Sequence, residues 1–555
     1  MSTINRILVA NRGEIARRVF ATARRLGIET VAVHSDADAG LPFVREADAA
    51  VRLPGNTPAE TYLRGDLVIE AAKRSGADAI HPGYGFLSEN ASFARQVADA
   101  GLVWIGPDPD SIDRMGSKIE SKKLMEAAGV PVLGNLTTDS ATEGDLPLLV
   151  KASAGGGGRG MRIVRSLADL AGEVEKAAAE AESAFGDGTV FVEPYVENGR
   201  HVEVQVVGDR TGVVEVFGTR DCSLQRRHQK VVEEAPAPGL PDDVRSALHE
   251  AARAAAMAVD YVGAGTVEFL YDADTERFFF LEMNTRLQVE HPVSELIHGV
   301  DLVELQVAVA EGAQLPVVLG EVQPPNGHAI EVRLYAEDPS ADYAPQTGRL
   351  LDLGIEHTDT FALAGHGIRL DTGFETGDEV GTHYDAMLGK VIAWAPTREQ
   401  AARALARTLE KARIHGLVTN RDQLVASLRH PAFLDLSGLA TSFYDDHPDT
   451  LEQLASDELM TFVGAVALAE DRRLRAKVQS RIPAGFRNVA AGPRSTRFTV
   501  GGDDVEVLWF GGTQGYALAA PDPDTPVAVV SASPDEVVLD VRHWPEGEPR
   551  PSSSR

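Results

Sequence analysis

Ten residues, EMNTRLQVEH (Glu282 to His291), place two carboxylates, two amides, an arginine and a histidine at the end of the apolar run RFFFL. The runs TVEFLYD and RFFFLEMN are separated by the short polar turn ADTE, which predicts an antiparallel hairpin. With the turn centred near Asp274 or Thr275, Glu268 and Glu282 fall on one face, opposite or diagonal to each other, and Asn284 shares that face by the strand period. Facing carboxylates repel unless something positive lies between them. Hard oxygen ligands on a strand pair suit Mg²⁺ or Mn²⁺ bridging a nucleotide. A protonated or salt-bridged pair without metal is the competing reading.

Two further stretches bear on phosphate chemistry. Gly155 to Gly158 follow the strand-like PLLVKAS, with Lys151 in it, and precede Arg159 and Gly160. Four glycines in a row suit no helix or strand interior. They form either a flexible linker or a flap whose bare N–H groups close over phosphates; no Gly-Lys-Ser/Thr follows, so this is not a P-loop. In RDCSLQRRHQKVVEEAPAP, Arg220, Arg226, Arg227, His228 and Lys230 fall within eleven residues. That run is either a solvated basic face or a cleft that concentrates anions. Together the signals describe phosphoryl transfer from ATP to a small anionic acceptor, with Arg286 and Glu290 placed to bind and deprotonate it.

The elements that must carry these residues are readable in outline. The first hundred residues alternate short strands (RILVA, TVAVH, DAIHP, LVWIG) with helical runs (EIARRVFATARRLG, LVIEAAKRSG, FARQVADAG), the pattern of parallel βαβ units. The first turn, ANRGEI, has one glycine where a dinucleotide site wants three, which argues against a nicotinamide cofactor. A helix, SKIESKKLMEAAG, precedes a strand-rich stretch from Val190 to Phe280, closed by the helical VDLVELQVAVAEG. Past Pro324 come HAIEVRLYAED, HYDAMLGKVIAWA and the helix REQAARALARTLEKARI. After His447 a helix around LEQLASDELMTFVGAVALAEDRRLRAKV leads into short alternating runs expected to form a small antiparallel sheet or barrel, with a disordered tail from Glu546.

The 555 residues suffice for three to four domains, and 43% apolar with 25% charged residues is globular composition. A formal charge of −30 argues against nucleic acid or an anionic membrane as main partner. The one cysteine, Cys222, cannot form an internal disulfide. The N-terminus lacks a signal-peptide core, and no window approaches the ~20 apolar residues of a membrane span. A soluble, cytoplasmic protein is expected.

HPGYGFLSEN, MGSKIESKKLMEAAGVP, KASAGGGGRGM, RDCSLQRRHQKVVEEAPAP and EMNTRLQVEHPVSE resemble the signature segments of biotin carboxylases, of the ATP-grasp superfamily, over residues 3–447. The whole is most similar to the biotin carboxylase part of an acetyl- or propionyl-CoA carboxylase α subunit, which serves fatty acid biosynthesis. The resemblance implies a multidomain α/β and α+β chain. It would comprise a Rossmann-like domain over 1–115, an ATP-grasp domain over 116–323 with a lid near 135–203, and a biotin carboxylase C-terminal domain over 324–447. A partial linking-type helix and β-barrel segment over 448–545 and the tail 546–555 complete it.

By the same resemblance Lys118, Lys151, Gly157, Gly158, Glu193, Val196, His201, Gln225 and His228 contact ATP, and Glu268, Glu282 and Asn284 hold Mg²⁺ or Mn²⁺. Lys230, Arg286, Gln288 and Val289 form the bicarbonate pocket, Glu290 is the base, and Arg333 stabilises the biotin enolate. Pro194 stands in the adenine hinge EPYV where many relatives have lysine, and the expected contacts there are main-chain. RIPAGFRN resembles the start of a linking domain that in α subunits precedes a biotin carrier. The last lysine is Lys477 and no Met-Lys-Met occurs, so biotin is expected on a separate carrier unless the chain is truncated. A carboxyltransferase β subunit and a homo-oligomer or larger complex are the other expected partners. The rivals are another ATP-grasp ligase forming an acyl phosphate and a silent ATP-binding scaffold. RRHQK, RLQVEH and Arg333 argue against the first, and retention of Glu290, Lys230 and the metal acids against the second.

Overall fold

The computed structural model describes residues 3–152, 161–185, 188–227, 229–320, 322–362, 365–451, 457–487, 492–500, 503–513, 515–519, 527–534 and 536–541. The chain divides into two compact units, Met1–Glu452 and Gln453–Arg555.

In the first unit the βαβ pattern becomes a five-stranded parallel sheet in the order Ala49–Arg52, Glu29–His34, Arg6–Val9, Ala79–His81, Val103–Trp104. Leu8, Val31, Val33 and Ile80 are buried against the helices Gly65–Ser75 and Ala91–Asp99, which accounts for their near-continuous apolar sequence. The helix Gly13–Arg25 starts in the single-glycine turn, where Gly13 has φ +62°, a backbone setting that costs glycine nothing.

A second sheet has eight strands, every neighbouring pair antiparallel. Its order is Arg277–Asn284, Gly263–Asp272, Gly199–Gly208, Val214–Arg226, Gln229–Ala235, His328–Tyr335, Met387–Ala395, Gly367–Thr372. It continues without a break across residue 324, because Glu233 pairs with Glu331. Val202, Val204, Val206, Val267, Phe269 and Phe280 pack beneath it against the helix Asp242–Ala258. A small sheet, Arg162–Val164, Leu148–Ala152 and Val190–Pro194, is antiparallel throughout. It supplies the two strands of the expected flap, whose glycines lie outside the described residues.

The second unit is built on the helix Asp457–Arg475. Phe462, Ala465, Val466 and Ala469 pack with Val507, Trp509 and Leu518 of a three-stranded antiparallel sheet, and a two-stranded one follows. Residues 546–555, expected as a tail, lie outside the described residues. No described helix is long and apolar enough to cross a membrane.

One buried side chain yields a direct stability prediction. Glu331 is 0% exposed and neither carboxylate oxygen has a hydrogen-bond partner among the described residues; burial pushes its carboxyl well above the ordinary value, against the pull of Lys390 and Arg333. A raised carboxyl stabilises the fold fully below its unfolded value, here 4.5, and that contribution is lost as pH rises towards the folded value. The Glu331→Gln variant, neutral in both states, should therefore gain stability over the parent chain by about 1.4 kcal/mol per pH unit above ~4.5 until the folded value is reached. Thermal melts from pH 5 to 8 check this. A variant that loses ground as pH rises would show an ionised Glu331 instead.

Candidate active site

The expected hairpin forms, with Glu268 directly opposite Glu282. The register then extends the rung: Glu268 also faces Glu203, and Glu203 faces Arg220. Three acids in a row across adjacent strands need cations, and Lys230 supplies the central one. Its Nζ donates to Glu203 Oε2 at 2.6 Å, Glu268 Oε1 at 3.0 Å and Glu290 Oε1 at 2.6 Å. Burial alone would lower the Lys230 ammonium, but the three carboxylates raise it well above its ordinary value. Burial likewise opposes ionisation of Glu268, and Lys230 and His201 overcome it, so the carboxylate is held well below its usual range.

Every polar group around Glu268 is oriented. Oε1 accepts from Asn284 Nδ2 at 2.7 Å and Gln288 Nε2 at 3.0 Å. His201 Nε2 lies 2.9 Å from Oε2, while Nδ1 sits 2.7 Å from the Gln225 amide nitrogen. A donor at Nδ1 fixes the proton on Nε2, facing the carboxylate. Glu290 is the N-cap of the helix His291–His298 and is 0% exposed. Its Oε2 accepts from Arg333 Nη2 at 3.1 Å, and Arg333 Nε donates to Glu233 Oε1 at 2.5 Å. Burial is again outweighed, by Lys230, Arg333 and Arg220, and Glu290 is held far below the carboxylate range. Arg286 is aimed by Glu89, which accepts from its Nε at 2.9 Å, and by Asn284 Oδ1 at 3.1 Å.

Two cavities meet at this cluster. One, of about 490 Å³, is lined by Lys151, Glu193, Val196, His201, Gln225, Lys230, Glu268, Glu282, Asn284 and Gln288. The other, of about 510 Å³, is lined by Arg12, Glu14, Tyr84, Phe86, Phe374 and Tyr384. Arg286, Val289, Arg333, Tyr335 and Asp385 line both. In the first cavity Glu193, 1% exposed, is ion-paired to both Lys122 and Lys151. Gly157, Gly158, His228 and the side chain of Lys118 lie outside the described residues.

The basic run is not one face. Arg220 is 0% exposed and donates to Glu203, Gln205, Thr266 and Ser294. Arg226 pairs with Glu337, and Arg227, at φ 47°, turns outward to Asp342. Irregular pairing of this strand with Gln229–Ala235 between Asp221 and Gln225 breaks the alternation that a sequence reading assumes. Of the described basic residues of this run, Lys230 alone lines the cavities. Sequence reasoning also missed Glu203, Glu89 and Lys122. Only the alternation of HVEVQVV, which places a carboxylate on the His201 face, could have pointed to Glu203.

The paired carboxylates, the two-stranded arm of a flap and the antiparallel sheet define a nucleotide-dependent ATP-grasp protein. Residues 3–112 match the sequence family described as biotin carboxylase, N-terminal domain. Residues 117–318 match the carbamoyl-phosphate synthase L chain, ATP binding domain, and 331–445 the biotin carboxylase C-terminal domain. A protein named biotin carboxylase from Halalkalibacterium halodurans is 45% identical over 80% of this chain and 97% of its own length. The methylcrotonoyl-CoA carboxylase subunit α of Dictyostelium discoideum is 44% identical over 87% of this chain and 70% of its own.

Among solved structures, the biotin carboxylase domain of Hydrogenobacter thermophilus 2-oxoglutarate carboxylase, in complex with MgADP, ADP and bicarbonate, superposes with a TM-score of 0.75. It is 39% identical and covers 82% of this chain and all of that one. The chain belongs to the biotin carboxylase family. It spans 59% to 70% of the length of the methylcrotonoyl-CoA carboxylase α subunits it matches.

Proposed function

We propose that the chain catalyses ATP- and bicarbonate-dependent carboxylation of biotin, as the biotin carboxylase component of an acyl-CoA carboxylase. The observation that carries this reading is the Lys230–Glu290–Arg333 series at the junction of the two cavities. It sets a base and two cations where a nucleotide on one side and an acceptor on the other would meet.

In this reading Lys118, Lys151, Glu193, Val196, His201, Gln225 and His228, with Gly157 and Gly158 of the flap, hold ATP. Glu268, Glu282 and the amide oxygen of Asn284 are hard donors on neighbouring positions of one hairpin, a set that fits Mg²⁺ or Mn²⁺. The ion, when bound, neutralises phosphate charge as it develops. Lys230, Arg286, Gln288 and Val289 hold bicarbonate, and Glu290 removes its proton. The freed oxygen attacks the γ-phosphorus and ADP departs, giving carboxyphosphate. This splits into CO₂ and phosphate; the phosphate takes the N1′ proton of biotin, and N1′ adds to CO₂ while Arg333 offsets the enolate charge.

The domain reading carries over as 1–115, 116–323, 324–447 and 448–545. Biotin on a carrier supplied in trans, a carboxyltransferase subunit, self-association and a cytoplasmic setting complete the proposal. Its support is the similarity to proteins named as carboxylase α subunits, and the single cysteine, buried as a free thiol.

The purified chain with Mg²⁺ should hydrolyse ATP only when bicarbonate is present, and free biotin should stimulate it. Phosphate release with and without bicarbonate is the measurement. Hydrolysis indifferent to bicarbonate removes the proposal.

A further inference from the structure

Beneath the junction lies a second buried ammonium with no part in the chemistry above. Lys390 is 0% exposed in the strand Met387–Ala395. It faces Arg333 on one neighbouring strand and Asp371 on the other, so all three share a face of the sheet. Its Nζ donates to the carbonyl oxygen of Val289 at 2.8 Å, lies 3.4 Å from Glu14 Oε1, and is 3.8 Å from Asp371 Oδ2.

Both acids are held from elsewhere as well. Asp371 receives both Arg369 Nε and Nη2, at 2.9 and 2.7 Å. Glu14, from the helix beside the parallel sheet, is bonded by the Tyr84 hydroxyl. Gly373 lies so close to it that a Cβ there would come within 2.9 Å of Glu14 N. The remaining partner is the Val289 carbonyl, in the peptide that joins Val289 to Glu290 just before the helix His291–His298 begins. A neutral side chain could accept crowding there, but not donate to that carbonyl while balancing two buried acids.

We propose that Lys390 is a positioning residue. Its charge, held by Glu14 and Asp371, grips the Val289 carbonyl and so sets the Val289–Glu290 peptide at the height where the bicarbonate pocket and its base are in register. Three segments distant in sequence, 14, 371 and 390, thereby control one peptide. Lys390 bonds or pairs with Val289, Glu14 and Asp371, and does not line the cavity of Lys151, Glu193 and His201, so its loss should fall on bicarbonate rather than on ATP.

The inference rests on the proposed bicarbonate chemistry, and the two fail differently: wild-type ATP hydrolysis without bicarbonate dependence removes the function, whereas the variants test the positioning. Lys390→Met keeps the side-chain length and removes the donor and charge. It should raise the bicarbonate KM or lower kcat by a combined factor of about 100, the scale of a 1 Å misplacement. The ATP KM and direct ADP binding should stay within about threefold of wild type.

Glu14, left without its cation, could unsettle the fold of that variant. The pair Lys390→Met/Glu14→Gln relieves the excess negative charge, and should recover the melting temperature without recovering bicarbonate turnover. Lys390→Arg, which retains donor and charge, should restore part of it. The proposal is overturned if the charge-relieved pair regains wild-type turnover, if ATP and bicarbonate parameters fall together, or if Lys390→Met is kinetically unchanged.

Discussion

Glu290→Gln should reduce bicarbonate-dependent ATP hydrolysis by about 10²- to 10⁴-fold, the contribution of a placed general base, while ADP binding stays nearly intact. The size follows from what the carboxylate does in the resting site. Lys230 holds one oxygen and Arg333 the other, and Glu290 is wholly buried. Those cations make it a poor base, since they hold its carboxyl far below the ordinary range.

The same two cations line the cavity that the nucleotide would fill, and of the two Lys230 belongs to the proposed bicarbonate pocket. As bicarbonate shares the Lys230 charge, the proton affinity of Glu290 rises where its proton must be taken. Glutamine has the shape but no such response, and its NH₂ would set a donor against an ammonium or a guanidinium. Loss of nucleotide affinity, or a melting temperature lowered far beyond that of a surface variant, would instead make Glu290 a structural counter-ion. Equilibrium ADP binding and a melt, run beside the kinetics, separate the outcomes.

What the sequence could disclose of this site depends on how far apart the partners lie. Glu268 and Glu282 are 14 residues apart on a hairpin whose turn is polar and whose arms are apolar, so strand periodicity alone sets them face to face, as found. Glu203 completes the same rung but comes from a strand some 60 residues upstream. No local pattern says that Gly199–Gly208 will lie beside Gly263–Asp272 rather than elsewhere in the sheet. Lys390 is harder still: it reads as one lysine in an apolar strand, and its role depends on Glu14, Val289 and Asp371 converging on it.

The parallel βαβ order of the first hundred residues was legible because each crossover is local. The continuity of the eight-stranded sheet across residue 324 was not, since strands Gln229–Ala235 and His328–Tyr335 meet from opposite sides of a change in composition. The basic run misled for a different reason. Irregular pairing and a positive φ at Arg227 turn adjacent cations in different directions, and charge spacing carries no trace of either.

Arg333→Ala should cost about 3 kcal/mol in the biotin-dependent step, the scale of losing one placed oxyanion donor, and leave biotin-independent ATP cleavage largely in place. Its guanidinium lines both cavities, and each end is tethered, Nε to Glu233 and Nη2 to Glu290. A cation fixed at two points pays little reorganisation when negative charge appears beside it, which is why it can favour the enolate over neutral biotin.

Truncation leaves two buried acids short of a partner, and the fold survives if one of them can take a proton. Glu233 is suited to that. Burial already pushes its carboxyl up to about 7 even with Arg333 beside it, so removal of the arginine shifts it further towards the neutral acid. The variant should therefore be most stable at acid pH and lose stability as pH rises from 4.5, the unfolded value, towards a folded value above the parent's, because ionising Glu233 has no compensating cation. Biotin-stimulated and unstimulated ATP cleavage, measured on the same preparation, decide the role. Equal loss of both rates would place Arg333 in the bicarbonate step and deny it a separate part in stabilising the biotin enolate.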